Sequence, residues 1–133
     1  MYTLLNDQGK VSEGPGSCIF IVRDGQLITP PVTASILESI TRTTIIDIAR
    51  KDLDLNVVER DIDRTELYIA DEIFMCGTAV EIVPVLGVDR LEVGNAVMGN
   101  VTSSIESLYF DIVRGLSEEH KCWLTPIYKD ETR

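Results

Sequence analysis

Long apolar runs are missing from this chain, as is any ordered arrangement of cysteines. No uninterrupted hydrophobic stretch approaches the roughly 20 residues of a membrane-spanning helix, so no membrane partner is expected. Cys18, Cys76 and Cys122 are odd in number and widely spaced, with no Cys-x-x-Cys pair and no histidine cluster beside them. They read as reduced, cytoplasmic thiols rather than a disulfide framework or a metal site. Positive charge is also scarce, with 12 Lys and Arg against 22 Asp and Glu, a formal net charge of −10. A field of that sign repels phosphates, which argues against nucleic acid or an anionic membrane surface as partner. It leaves open a local phosphate site, because backbone N–H groups at a helix start can outweigh distant charge. The opening Met-Tyr-Thr-Leu-Leu-Asn has no basic region, so no secretory signal is expected there.

What is present suffices for a folded core. The 133 residues are 44% hydrophobic and 26% charged, ordinary values for a globular protein near the commonest domain size. No repeat, linker or low-complexity stretch divides them, so a single mixed α/β (α+β) domain over residues 1–133 is expected. Tyr2–Leu5 and Lys10–Ser12 read as a hairpin turning on Asn6–Gly9, and Cys18–Arg23 with Gln26–Thr29 as a second turning on Asp24-Gly25. Apolar positions at helical spacing predict a helix from Ile40 to Leu53, with Ser39 as N-cap. A short strand over Asn56–Arg60 follows, and the capping-box pattern Asp63-Arg64-Thr65-Glu66 opens a short helix running to about Ala70. Strands Ile73–Cys76 and Val80–Val85 flank Gly77-Thr78-Ala79, and Val88–Val93 reads as a hairpin arm around Asp89-Arg90. The clearest helix spans Val101–Arg114, with a stripe from Val101 to Leu116 that includes Val113, stopped by Gly115. An irregular tail packing through Trp123, Pro126 and Tyr128 completes the chain.

Three segments offer groups suited to a phosphorylated nitrogen heterocycle. Glu13 precedes Gly14-Pro15-Gly16, a stretch of little bulk, so its carboxylate can project toward a flat ligand and favour a protonated ring nitrogen. Taken alone, it reads first as a solvated loop glutamate. Ile40 and Thr41 stand at a helix start, where unpartnered N–H groups and the dipole favour an anion, although every capped helix has such a start. Gly77-Thr78-Ala79 interrupts two apolar strands with small residues, either a tight turn or a place where backbone N–H groups and the Thr78 hydroxyl meet a ligand oxygen. His120, in the polar run Ser117–Lys121, reads as a solvated tail residue without a metal-ligating partner, and each cysteine as a small packing residue. Asp61, Asp63, Asp71 and Glu72 follow caps and solvent faces rather than a metal loop. No metal is expected.

Taken in order, these segments resemble the C-terminal domain of the class IV pyridoxal-phosphate aminotransferases, most closely the branched-chain amino-acid aminotransferases. The likeness is carried by Val11–Ser17, Ile19–Gly25, Thr29-Pro30-Pro31, Ile40-Thr41-Arg42 and Leu67–Phe74, continuing into Cys76-Gly77-Thr78-Ala79, and it runs from about Leu4 to about Gly115. It implies a pseudo-barrel of mixed strands flanked by helices, with pyridoxal 5'-phosphate as cofactor. Glu13 would face the pyridine nitrogen. The amides of Ile40 and Thr41, the Thr78 hydroxyl and the Gly77 turn would hold the phosphate, and Thr78 and Ala79 would meet the substrate carboxylate. Amino groups would move between branched-chain amino acids and 2-oxoglutarate.

The resemblance puts the family's cofactor-holding lysine upstream of residue 1, and none of Lys10, Lys51, Lys121 and Lys129 stands in its place. The expectation is therefore a chain with no catalytic residue of its own, inactive alone, wanting an N-terminal partner domain and prone to form homo-oligomers. Cys18 stands where the family usually has Asn, and Glu38-Ser39 where it has Pro-Gly; Asn95–Asn100 also departs from its pattern. Two other readings stay open: a D-amino-acid transaminase or aminodeoxychorismate lyase on the same scaffold, and a non-enzymatic binding module.

Overall fold

The computed structural model describes residues 2–127, so Tyr128 and Lys129 lie outside the described residues. Its centre is β1 (Cys18–Arg23), joined to β2 (Gln26–Thr29) by Asp24 at φ 50° and Gly25 at φ 72°. Positive φ at both positions is what a two-residue hairpin turn needs, which is why Asp-Gly marks it. Five strands form one sheet in the order β3-β2-β1-β4-β5, where β3 is Asn56–Glu59, β4 is Glu72–Gly77 and β5 is Glu81–Pro84. β2 and β3 run parallel, and the other neighbours are antiparallel.

Strand β1 is apolar on both faces because both faces are covered. On one, Cys18, Phe20 and Val22 pack with Phe74 and Cys76 beneath two helices, α1 (Ile40–Lys51) and α2 (Asn100–Val113). On the other, Ile19, Ile21, Ile73 and Met75 meet Leu67 of a short 3-10 helix and Val11, Ile62, Ala70 and Val93 from the loops. The phenyl rings of the register partners Phe20 and Phe74 stack with centroids 5.0 Å apart. The fold is thus mixed α/β, as the sequence predicts, with a mostly antiparallel sheet.

Several boundaries and details differ. The N-terminal arms form a hairpin with one ladder bridge, Leu5 to Val11, flanked by Leu4 N–H to Glu13 O at 2.7 Å, Ser12 N–H to Leu4 O at 2.9 Å and Asn6 N–H to Lys10 O at 2.8 Å. Helix α1 ends at Lys51 rather than Leu53, and the short helix is a 3-10 helix over Arg64–Tyr68. β4 extends through Gly77, so that glycine belongs to the strand and not to the break after it. The Asp89-Arg90 hairpin is present in miniature, as β6 (Gly87–Val88) and β7 (Leu91–Glu92). In α2 the buried positions include Thr102, while Val113 and Leu116 at the end of the expected stripe are exposed.

The tail forms a 3-10 helix over Glu118–Trp123 and corrects two readings. His120 is only 8% exposed, its Nδ1 2.8 Å from Ser117 Oγ and its Nε2 3.3 Å from Asp52 Oδ2, with the Trp123 ring edge-on. Its acidic partner comes from the end of α1, too distant in sequence for local spacing to reveal. Cys122, expected to pack, is exposed.

Candidate functional site

Glu13 enters a tight turn in which Gly14 N–H donates to Ser17 O at 2.7 Å and Ser17 N–H returns to Gly14 O at 3.2 Å. Pro15 with Gly16 at φ 68° supplies the pairing that a type II turn requires. This turn sets Glu13 half-buried, with its Oε2 accepting from Leu37 N–H at 3.1 Å. Among the described residues its Oε1 accepts no hydrogen bond. Leu37 lies in the segment leading to α1, so one amide ties the Glu13 loop to the helix start.

At that start, Ser39 caps α1 by accepting Arg42 N–H on its hydroxyl at 3.2 Å. Thr43 N–H goes to Ser39 O at 3.0 Å. Among the described residues the N–H groups of Ile40 and Thr41 donate no hydrogen bond, which leaves two amide dipoles at the positive end of the helix. The Ile40 side chain is 88% exposed, whereas Thr41 is buried. A concavity of about 340 Å³ opens beside this end, lined by Glu38, Ser39, Ile40, Thr43, Thr44, Asp47 and Trp123. It includes neither Glu13 nor Thr78, and its carboxylates make it a poor anion site.

The third segment meets the same corner. A side chain at Gly77 would bring its Cβ within 2.8 Å of Gly16 O, so only glycine lets the end of β4 pass the Glu13 turn. Thr78 and Ala79 are exposed in the turn that follows, and the Thr78 hydroxyl makes no hydrogen bond among the described residues. Cys18, the register partner of Cys76, links the parts: its thiol lies 3.8 Å from Leu37 O, and burial first, then the Glu13 charge, push it up. The Glu13 loop, the Leu37–Ser39 lead into α1 and the end of β4 therefore share one corner of the fold.

The sequence profile of the family described as Amino-transferase class IV matches residues 2–88 of this chain. The chain belongs to the class IV aminotransferase family. A probable branched-chain-amino-acid aminotransferase of Aquifex aeolicus is 47% identical over 125 residues, which cover 94% of this chain and 40% of that protein. Among solved class IV relatives, the branched-chain amino acid aminotransferase of Thermobaculum terrenum in its PLP form superposes with a TM-score of 0.93 at 49% identity. The match takes in 96% of this chain and 41% of that one. The branched-chain aminotransferase of the archaeon Thermoproteus uzoniensis, solved with norvaline, gives a TM-score of 0.89 at 48% identity, covering 95% of this chain and 41% of that one. The chain thus spans about two fifths of the length of these relatives.

Around the corner lie residues that local patterns missed. Arg42 is buried, and its Nη2 donates to Pro30 O at 2.9 Å and to Glu59 Oε2 at 2.8 Å, which fixes the first turn of α1 on the ends of β2 and β3. That guanidinium holds the Glu59 carboxyl below its ordinary range. Glu72 reaches from β4 to the start of α2, and Glu66 collects Arg23 and Arg60. Lys10 pairs with Asp63 at 2.6 Å. Such contacts join positions 6 to 53 residues apart in different segments, so periodicity carries no trace of them. Among the described residues no group of three or more His, Cys, Asp or Glu could hold a metal, and no helix is long and apolar enough to cross a membrane.

Proposed function

We propose that this chain supplies the cofactor-cradling domain of a pyridoxal-phosphate transaminase acting on branched-chain amino acids and 2-oxoglutarate. The observation that carries the reading is the shared corner, where a carboxylate with one free oxygen and two undonated helix-start amides stand together, joined through Leu37. Those groups fit the cofactor: an anion acceptor for a protonated ring nitrogen, and N–H donors for a phosphate. In this reading Glu13 faces the ring nitrogen, Ile40 and Thr41 hold the phosphate through their amides, with Gly77 and the Thr78 hydroxyl beside them, and Thr78 with Ala79 orients the substrate carboxylate. When bound, the cofactor supplies an electron-withdrawing ring that stabilises negative charge on the substrate α-carbon. Glu13 keeps a proton on the ring nitrogen, and its bond from Leu37 N–H keeps the carboxylate aimed.

The amine that moves the substrate proton belongs elsewhere in the reading. Lys10 is held by Asp63, Lys51 by Asp47 and Lys121 by Glu118, none of them in the shared corner. A further domain completes the site, and the assembled protein is cytoplasmic and self-associating. Its free cysteines and exposed apolar residues support this part.

Phosphate and thermal melting test the cradle. At ten times its Kd, phosphate stabilises a single site by about 1.4 kcal/mol. Thr78→Val removes that gain and leaves the phosphate-free melting point in place. An undiminished gain in the variant would move the anion to another site. In the same preparations, freed of host transaminases, the 133-residue chain forms no glutamate from leucine and 2-oxoglutarate. Sustained turnover lost in Glu13→Ala would overturn the assignment of the amine.

A further inference from the structure

We propose that Cys18 and Cys76 form an oxidisable pair, closing into a cross-strand disulfide between β1 and β4. They are direct partners in the antiparallel register and lie on the same helix-covered face. The next pair along that face, Phe20 and Phe74, has its rings stacked, so facing side chains of these strands do meet. Directly opposed antiparallel residues hold their Cα atoms about 4.5–5.5 Å apart. A disulfide spans Cα separations of roughly 4.4–6.8 Å, so closure needs side-chain rotation and little movement of the strands. Both residues are free thiols, and Cys122 is exposed and far from them in sequence. Two buried cysteines in register are a different feature from a lone packing cysteine.

The order of events follows from the surroundings. Cys76 is fully buried, and burial pushes its thiol well above the ordinary range. Cys18 lies under the mostly exposed Ser35–Ser39 segment, where its thiol donates to Leu37 O. Burial and then the Glu13 charge push its thiol up as well, with the Ser39 hydroxyl and Arg42 acting the other way. A peroxide therefore meets Cys18 first, when that segment opens. The Cys18 sulfur attacks a peroxide oxygen, the O–O bond breaks, and water leaves with a sulfenic acid formed. The Cys76 sulfur then attacks the Cys18 sulfur, the S–O bond breaks, and a second water leaves. Each thiol has lost one hydrogen, the pair is oxidised by two electrons, and one peroxide has become two waters.

Closure has a local consequence. The S–H donor to Leu37 O is consumed, and Leu37 is the residue whose N–H holds Glu13. Oxidation therefore loosens the lead into α1 while the sheet stays paired.

The test uses the folded chain with graded hydrogen peroxide, then denaturation, alkylation without reductant, and peptide mapping. The expected product is lighter by two hydrogens, with Cys18 and Cys76 joined, Cys122 alkylated, and the bond reversed by dithiothreitol. Amide exchange at Leu37 in that product rises roughly tenfold, the sign of a local opening. Oxidation confined to Cys122, or a Cys18–Cys76 bond formed only when denaturant is present during oxidation, overturns the proposal. Unchanged exchange at Leu37 overturns the loosening. Because the wild-type chain is used and bonds are mapped directly, no variant has to fold.

Discussion

Glu66 gathers four donors on one carboxylate. Arg60 binds it two-pronged at 2.9 and 2.7 Å, Arg23 at 2.9 Å and Asp63 N–H at 3.2 Å. The Arg60 hydrogen bonds are the largest cause that lowers its carboxyl to about 2. An unfolded glutamate titrates near about 4.3. The folded value lies lower, so this cluster adds stability above the unfolded value and loses it as pH falls toward the folded one. Glu66→Gln should therefore cost about 1–3 kcal/mol at pH 7. The gap between variant and parent should close as acid is added toward pH 2. Urea unfolding of both proteins across that range reads it, and a gap that ignores pH would remove Glu66 as its source. Of this cluster the sequence displays one bond, the Glu66 return to Asp63 N–H, because the capping-box spacing is local. Arg23 is 43 residues away and has no local signature.

Among the elements, α2 starts on Gly99 with no capping side chain of its own. Glu72 of β4 takes that role, accepting from Val101 N–H at 3.1 Å, Thr102 N–H at 2.8 Å and the Thr102 hydroxyl at 2.6 Å. A Cβ at position 99 would lie 1.9 Å from the Glu72 carboxyl carbon, so the glycine makes room for the borrowed cap. Glu72→Ala should cost about 1–3 kcal/mol, as a lost anionic cap and its hydrogen bonds would. Gly99→Ala should cost a similar amount by pushing the same carboxylate away, and the double variant little more than either. Denaturant melts of the three variants decide it; additive losses would mean the two residues act separately. Element boundaries with local punctuation, Asp24-Gly25, Ser39 and Gly115, are legible from sequence for this reason. Sequence pattern places the start of α2 one residue late, because its cap comes from another strand.

At the scale of the molecule, Leu37, Ile40, Ile69, Leu91 and Val97 are large apolar side chains left exposed. Where such side chains share one face, they drive association. Sedimentation velocity should show a dimer or larger species that grows with concentration, and a monomer at every concentration would count against it. The outline of the fold and the segments of the candidate site were legible in the sequence because each is carried by a contiguous motif: the Glu13 turn, the Ser39 cap, the apolar β1. What joins them into one corner was not, since the Leu37 bond to Glu13, the Gly77 passage beside Gly16 and the burial of His120 on Asp52 all depend on chain folding back from afar.

The central place of β1 also sets a schedule for synthesis. Its β2 edge is satisfied at once by the adjoining hairpin, but its β4 edge waits for a partner about 50 residues downstream. At about 5–20 residues per second, a ribosome leaves that edge bare for some seconds. The bare edge, Cys18–Val22, is a fully apolar β-forming strip, the kind that recruits strands from other chains. The nascent protein is therefore most vulnerable between completion of the first hairpin and arrival of Glu72–Gly77, an interval in which a holding chaperone has its use.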